Sequence, residues 1–253
     1  MNQTLTPLQI ELREAMRAWG CPLCKLAYRA EHAFIESLNY ERVLDVNTRD
    51  ALKASRGLCE RHSRNWRQVQ GAALGLAIVY RVTILDLLRD TEGDDEDQAG
   101  FLGLRRTSRR PEEIAEALEA KAPCPACQVG QAAARRFADL LLDDLEDETV
   151  QHSLEDTGGL CLPHLRMTLR QKGSRRRAQA LIGAQRNAWT TLMQELEEFI
   201  RKNDYRFREE AMTPQEETSW TRVLDVVVGL QPHKLKAGDP VNRESDDVRS
   251  DRD

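Results

Sequence analysis

Two tetrapeptides and two hexapeptides hold all six cysteines of the chain: "CPLC" at Cys21–Cys24, "CPAC" at Cys124–Cys127, "GLCERH" at Gly57–His62 and "GLCLPH" at Gly159–His164. Side chains three residues apart share one face of a helix or tight turn, with Cβ atoms about 5–6 Å apart. Pro22 and Pro125 follow the first cysteine of each CPxC and suit the first position of a helix. The unpaired amides and the positive dipole end found there favour thiolate over thiol. One CPxC with one CxxH supplies three sulfurs and an imidazole, the Cys3His complement of a closed, tetrahedral zinc site. Read copy by copy, Cys21, Cys24, Cys59 and His62 form one quartet, and Cys124, Cys127, Cys161 and His164 the other. Two zinc ions per chain are expected. Four protein ligands leave no open position for water or substrate, so the sites read as structural, not catalytic. Three thiolates with Zn²⁺ sum to about −1, which Lys25, Arg61 or Arg166 are placed to offset.

Rival chemistries use the same residues. An iron–sulfur cluster can take cysteine ligands. A helix-terminal CPxC can also exchange disulfides, or sense oxidation by releasing a metal. Buried cysteines can be no more than small apolar side chains. The exchange motif works after a strand in a βαβ unit, and no strand pattern is present. His32, His152 and His233 lack comparable neighbours and read as ordinary surface side chains. Glu31, Glu41 and Asp45 make no convincing acid/base pair. No phosphate loop, nucleophile elbow or dinucleotide fingerprint occurs, and the reading leans away from an enzyme.

The elements that must position these ligands read as helices. Matching ligands differ by 103, 103, 102 and 102 residues, and Gly71 and Gly173 each lie nine residues past their histidine. This is the signature of an internal tandem repeat of roughly a hundred residues. Leu26, Ala30, Phe34 and Leu38 form an apolar stripe after the first CPxC, and Val129, Ala133, Phe137 and Leu141 after the second. Glycine ends a short helix before each GLCxxH, and longer helices follow Gly71 and Gly173, the second from Arg175 to about Lys202. The expected fold is all-α, with two tandem-repeat helical subdomains that each carry a Cys3His site, plus a C-terminal docking helix. The boundaries read as 8–90 for the first unit, 91–113 for a charged linker and 114–202 for the second unit. A C-terminal segment follows at 203–231, then a disordered tail at 232–253. Thr213, Pro214 and Glu216 make a capping box, and Trp220, Val223, Leu224 and Val227 give the docking helix an apolar face.

Composition narrows the function classes. The 253 residues are 40% hydrophobic, 31% charged and 5% aromatic, with a net charge of −5, as expected of a soluble helical protein. That acidity, and a gap of about 34 residues between ligand pairs unlike a ββα finger, make a nucleic-acid partner unlikely on this reading. Arg81 and Asp86 interrupt the most apolar segment, Ala72–Leu88, which falls short of the ~20 residues of a membrane span and reads as a buried core helix. The start lacks a secretory leader pattern, so a reducing cytoplasm is expected, where cysteine means metal or redox chemistry. A protein partner is expected.

The chain resembles a bacterial family of uncharacterised proteins with twin CPxC and GLCxxH or GFCxxH units. The resemblance rests on "CPLCKL", "SRGLCERH", "CPAC" and "GGLCLPHL", with "NDYRFR" (Asn203–Arg208) and "SWTRVLDVVVG" (Ser219–Gly229) after them. It covers about Leu8 to Leu230 and implies a helical cytoplasmic protein with metal-binding cysteines. It implies no activity. The linker departs from the family pattern in being unusually charged.

Overall fold

The computed structural model describes residues 5–91, 110–171, 174–207 and 209–230. Among them are eleven α-helices and no strand, as the all-α reading expects. The first five are α1 (Pro7–Ala15), α2 (Pro22–Ser37), α3 (Val46–Ala54), α4 (Glu60–Gln68) and α5 (Ala72–Thr91). Five more follow in a similar sequence of lengths: α6 (Pro111–Leu118), α7 (Pro125–Asp144), α8 (Glu148–Asp156), α9 (Leu162–Leu169) and α10 (Arg175–Lys202). The last is α11, Pro214–Val227. Most of the charged linker and the tail beyond 231 lie outside the described residues.

Local chemistry explains the helix boundaries. Asp45 and Asp147, at matching places in the two copies, accept from the first-turn amides of Thr48 and Thr149 and start α3 and α8. Thr213 closes the expected capping box with Glu216 at α11. Gly57 and Gly159 have φ of +93° and +79°, a region in which a Cβ is strained. Their amides reach back five residues to Leu52 O and Leu154 O at 2.7 and 2.9 Å, tying off α3 and α8. The residue before each also has positive φ. It is Gly158 in one case and Arg56, at +56°, in the other. Arg56 is held there by bonds to the Asp90 carboxylate and the Ala117 carbonyl.

The chain divides into two compact units, one made of residues 1–30 and 130–253, the other of residues 31–129. Helices α2 and α7 each begin in one unit and end in the other. The discontinuous unit is built on Leu12, Leu23, Leu141, Leu145, Leu154, Leu160 and Leu181, all fully buried. Within it α10 packs on α8 and α11. The continuous unit packs α5 on α3, α4 and α6, around Ile35, Leu38, Leu52 and Trp66. Trp66 Nε1 donates to Asn39 Oδ1 at 3.0 Å, which satisfies the indole inside the core.

Two amphipathic assignments change. Helix α5 is not buried all round: it buries Ala72, Gly75, Val79, Thr83 and Asp86, while Leu74, Ile84 and Leu88 are exposed. Helix α11 packs on α10, but not through the expected face. Trp220, Leu224 and Val227 are 55%, 53% and 51% exposed, whereas Ser219, Asp225 and Val226 are buried. A small serine lets the helices approach closely, and ion pairs of Arg222 with Glu195 and Lys202 with Glu216 fasten this polar side.

Candidate metal centres

Each candidate ligand stands at or beside the start of a helix. Cys21 and Cys124 precede the prolines that open α2 and α7, and Cys59 and Cys161 are the N-caps of α4 and α9. Cys24, Cys127, His62 and His164 lie one turn further along. This is the placement read from the spacing.

All eight expected residues meet in two groups of four, but each group takes its members from both copies. Cys21, Cys24, Cys161 and His164 form the first centre; Cys59, His62, Cys124 and Cys127 form the second. The copy-by-copy pairing is therefore corrected: CPLC meets GLCLPH, and CPAC meets GLCERH. Backbone bonds between the segments that lead into the motifs supply the reason. Gly20 N donates to Thr157 O at 2.8 Å just before CPLC and GLCLPH, and Lys121 N and Ala122 N donate to Ala54 O at 2.8 and 3.1 Å just before CPAC and GLCERH. Each quartet accordingly lies within one compact unit, the first in the discontinuous one.

In the first centre His164 Nδ1 lies 3.5, 3.3 and 3.3 Å from the sulfurs of Cys21, Cys24 and Cys161. Cys24 and Cys161 sulfurs are 3.6 Å apart. In the second, His62 Nδ1 lies 3.3, 3.5 and 3.4 Å from Cys59, Cys124 and Cys127, and Cys59 and Cys127 sulfurs are 3.7 Å apart. All six cysteines are free thiols. A tetrahedral ion with metal–sulfur bonds of about 2.3 Å and a metal–nitrogen bond of about 2.05 Å needs about 3.8 Å between sulfurs and about 3.6 Å from sulfur to nitrogen. The observed separations fall within a few tenths of an ångström of those values. Both groups are thus of a size and donor set to hold a metal ion.

The surroundings tune the donors. Burial opposes charge on Cys21, but hydrogen bonds from Cys161, Cys24 and His164 outweigh it and hold the thiol well below its ordinary range. Cys24 moves up, through its bonds to Cys161 and Cys21 and its burial. Desolvation disfavours the charged form of His164, yet bonds to Cys161 and Cys21 carry it to about 10. At the second centre desolvation is again overcome: His62 rises to about 9 through Cys124 and Glu31. Cys124 falls to about 6 through His62 and the amides of Cys59, Cys127 and Ala126. Burial and the neighbouring Cys124 and Cys59 push Cys127 up to about 12. Each metal-free group thus favours a thiolate beside an imidazolium, with protons a cation would displace.

A second layer, invisible in the motifs, orients the ligands. Glu31 Oε2 is 3.2 Å from His62 Nε2, an ion-pair distance that falls short of hydrogen-bond geometry. Arg61 donates to the other Glu31 oxygen at 2.8 Å. Leu58 N donates to Tyr80 Oη at 3.3 Å and Leu160 N to Gln185 Oε1 at 2.8 Å, so the amide before each N-cap cysteine is anchored by a following long helix. Glu31 is buried, 6% exposed, a placement that the sequence did not signal. Lys25 donates to the carbonyls of Ala15, the last residue of α1, and of Ala18 beyond it. His32 Nδ1 and His152 Nδ1 lie 3.6 and 3.5 Å from the carboxylates of Glu36 and Glu155. His233 lies outside the described residues.

Among the described residues no helix is long and apolar enough to cross a membrane. No solved structure matches the chain. An uncharacterised 23.9 kDa protein from the xynA 3' region of Caldicellulosiruptor sp. (strain Rt8B.4) is 24% identical over 216 residues, covering 83% of this chain and 96% of the relative. With residues 1–233 matched by the DUF6062 family model, the chain belongs to that family, a family of unknown function.

Proposed function

We propose that the protein is a zinc-binding helical scaffold that presents a surface to a protein partner in the cytoplasm. The observation that carries this reading is the agreement of both quartets with the donor separations of a tetrahedral ZnS3N ion. Zinc is favoured by the soft thiolates and the four-ligand set. Donor atoms within 4.8 Å of one another suit a single ion better than a cage of iron and sulfide. Each ion joins two helix starts far apart in sequence, Cys21 with Cys161 and Cys59 with Cys124, and so closes long chain loops. Such closure lowers the entropy of the unfolded chain. In small zinc modules the apparent binding energy is about 10–16 kcal/mol; a chain with its own apolar core draws on less of it.

Metal analysis of the purified chain should return close to two zinc ions, with six thiols that react only after a chelator is added. Visible absorption from iron, or one metal-free quartet with reactive thiols in the freshly purified protein, would overturn the reading in favour of a cluster or a thiol-exchange protein.

A further inference from the structure

The discontinuous unit carries a groove of about 590 Å³ walled by α8, α10, α11 and Trp19. Its size is that of a ligand site. Ala188 and Leu192 of α10 supply an apolar floor, and both are buried. Glu155, Asp156 and Glu195 line it against a single cation, Arg222. Asp156 is the last residue of α8, whose carbonyl end adds partial negative charge.

The groove already holds one guanidinium, in contacts a ligand's guanidinium would use. Arg222 lies 4.4 Å from the centroid of the Trp19 ring and bonds Glu195 Oε2 at 2.5 Å. Glu155 is engaged by neutral Asn187 at 2.8 Å and by His152, and Asp156 makes no ion pair among the described residues. Two buried donors of the wall, Trp19 Nε1 and Arg222 Nε, have no acceptor among the described residues.

The groove is also tied to the first centre. Trp19 stands two residues before Cys21, and Asp156 five before Cys161. Between these points Gly20 N donates to Thr157 O at 2.8 Å, joining the two walls. A Cβ at Gly158 would meet the Trp19 ring at 2.3 Å, so the indole lies directly on that turn. A cation gripping Cys21 and Cys161 holds both walls.

We propose that this groove docks an extended basic peptide segment of a partner protein. An arginine or lysine stem lies along Ala188 and Leu192, with its head group at Glu155 and Asp156. The proposal rests on the zinc-scaffold reading, because the metal of the first centre positions the walls.

The test uses the metal-loaded full-length chain and blocked hexapeptides of alanine with one central arginine, or with its neutral isostere citrulline, titrated by calorimetry. Free arginine amide serves as the small-molecule arm. The expected result is binding of the arginine peptide at least tenfold tighter than of the citrulline peptide, and tighter than of arginine amide. The double variant Glu155→Gln, Asp156→Asn should erase that preference and keep both metals. Equal affinities, no binding of either peptide, tighter binding of arginine amide, or a preference that survives the double variant would each overturn the groove. Metal stoichiometry separates the two claims: a purified chain without two zinc ions sinks the scaffold reading, whereas a metal-loaded chain with no preference sinks only the groove. A Cys161→Ser variant that loses its metal and still prefers arginine overturns the metal's hold on the groove walls.

Discussion

The two centres share a ligand set and nearly the same donor distances, yet different surroundings protect them. At the first, Cys21 and Cys161 are buried, and the chain after α11 lies over the sulfurs. A Cβ added at Gly229 would sit 3.5 Å from both Cys24 Sγ and Cys161 Sγ. At the second, Cys59, Cys124 and Cys127 are all partly exposed. There the histidine is the buried member, and charge takes the place of cover: Glu31 backs His62, and Arg61 pairs with Glu31. No ion pair of His164 with a carboxylate occurs among the described residues, and the position 103 residues after Glu31 is Ala134. The lesson is that one ligand geometry is kept in place by packing at one centre and by an outer charge layer at the other.

The crosswise pairing is the sharpest point to attack. Removing Cys21 and Cys161 together should leave one metal per chain, because both belong to the first centre. Removing Cys21 and Cys59 together, the two that share a copy, should leave none. Metal stoichiometry by mass spectrometry reads the difference, and the opposite pattern would restore the copy-by-copy pairing.

Unequal cover predicts unequal lability. Under limiting chelator and a thiol-alkylating reagent, Cys59, Cys124 and Cys127 should be labelled well before Cys21 and Cys161, with the first metal lost coming from the second centre. Peptide mapping of the labelled chain checks the order; simultaneous labelling of all six would erase the contrast.

Glu31→Gln keeps the shape and removes the charge behind His62. Loss of such an outer-layer partner typically weakens metal affinity about 10–100-fold. Competition with a chromophoric chelator should show that loss at the second centre and leave the first unchanged.

The smallest expected difference is in pH dependence. In the metal-free chain both histidines sit above their ordinary value of about 6.5, His62 at about 9 and His164 at about 10. A raised folded-state value stabilises fully below about pH 6.5, and that contribution is lost as pH rises through about 9 at the second centre and about 10 at the first. The depressed thiols, Cys124 at about 6 and Cys21, contribute an opposing gain up to the ordinary thiol value of about 8.5, so the metal-free protein should lose stability only above about pH 8.5. Metal affinity should rise along the same climb, since the imidazolium must give up its proton to bind. Thermal melts with and without zinc between about pH 8.5 and 10 would show the opposed slopes; parallel slopes would mean that the histidines do not bind the metal.

Some structure was legible residue by residue. Pro22 and Pro125 announced helix starts, Thr213 and Glu216 a capping box, and Gly57 and Gly159 helix ends, because each signal acts within one turn of chain. Helix faces were less legible. Trp220, Leu224 and Val227 have the right spacing for burial, but Ser219 and the ion pairs of Arg222 and Lys202 fit α11 to α10 better, and periodicity cannot count those partners. Glu31 gave little sign of its role, since its partner His62 lies 31 residues away.

The sequence by itself determined the helical class and the place at helix starts of the eight cysteine and histidine residues that the structure gathers into two groups. Those follow from spacing, caps and donor chemistry over a few residues. Only the tertiary structure decided which CPxC meets which CxxH, and what guards each pair. The paired motifs carry the same donor types at the same spacing, so the choice fell to the backbone bonds and packing that carry each motif to its partner.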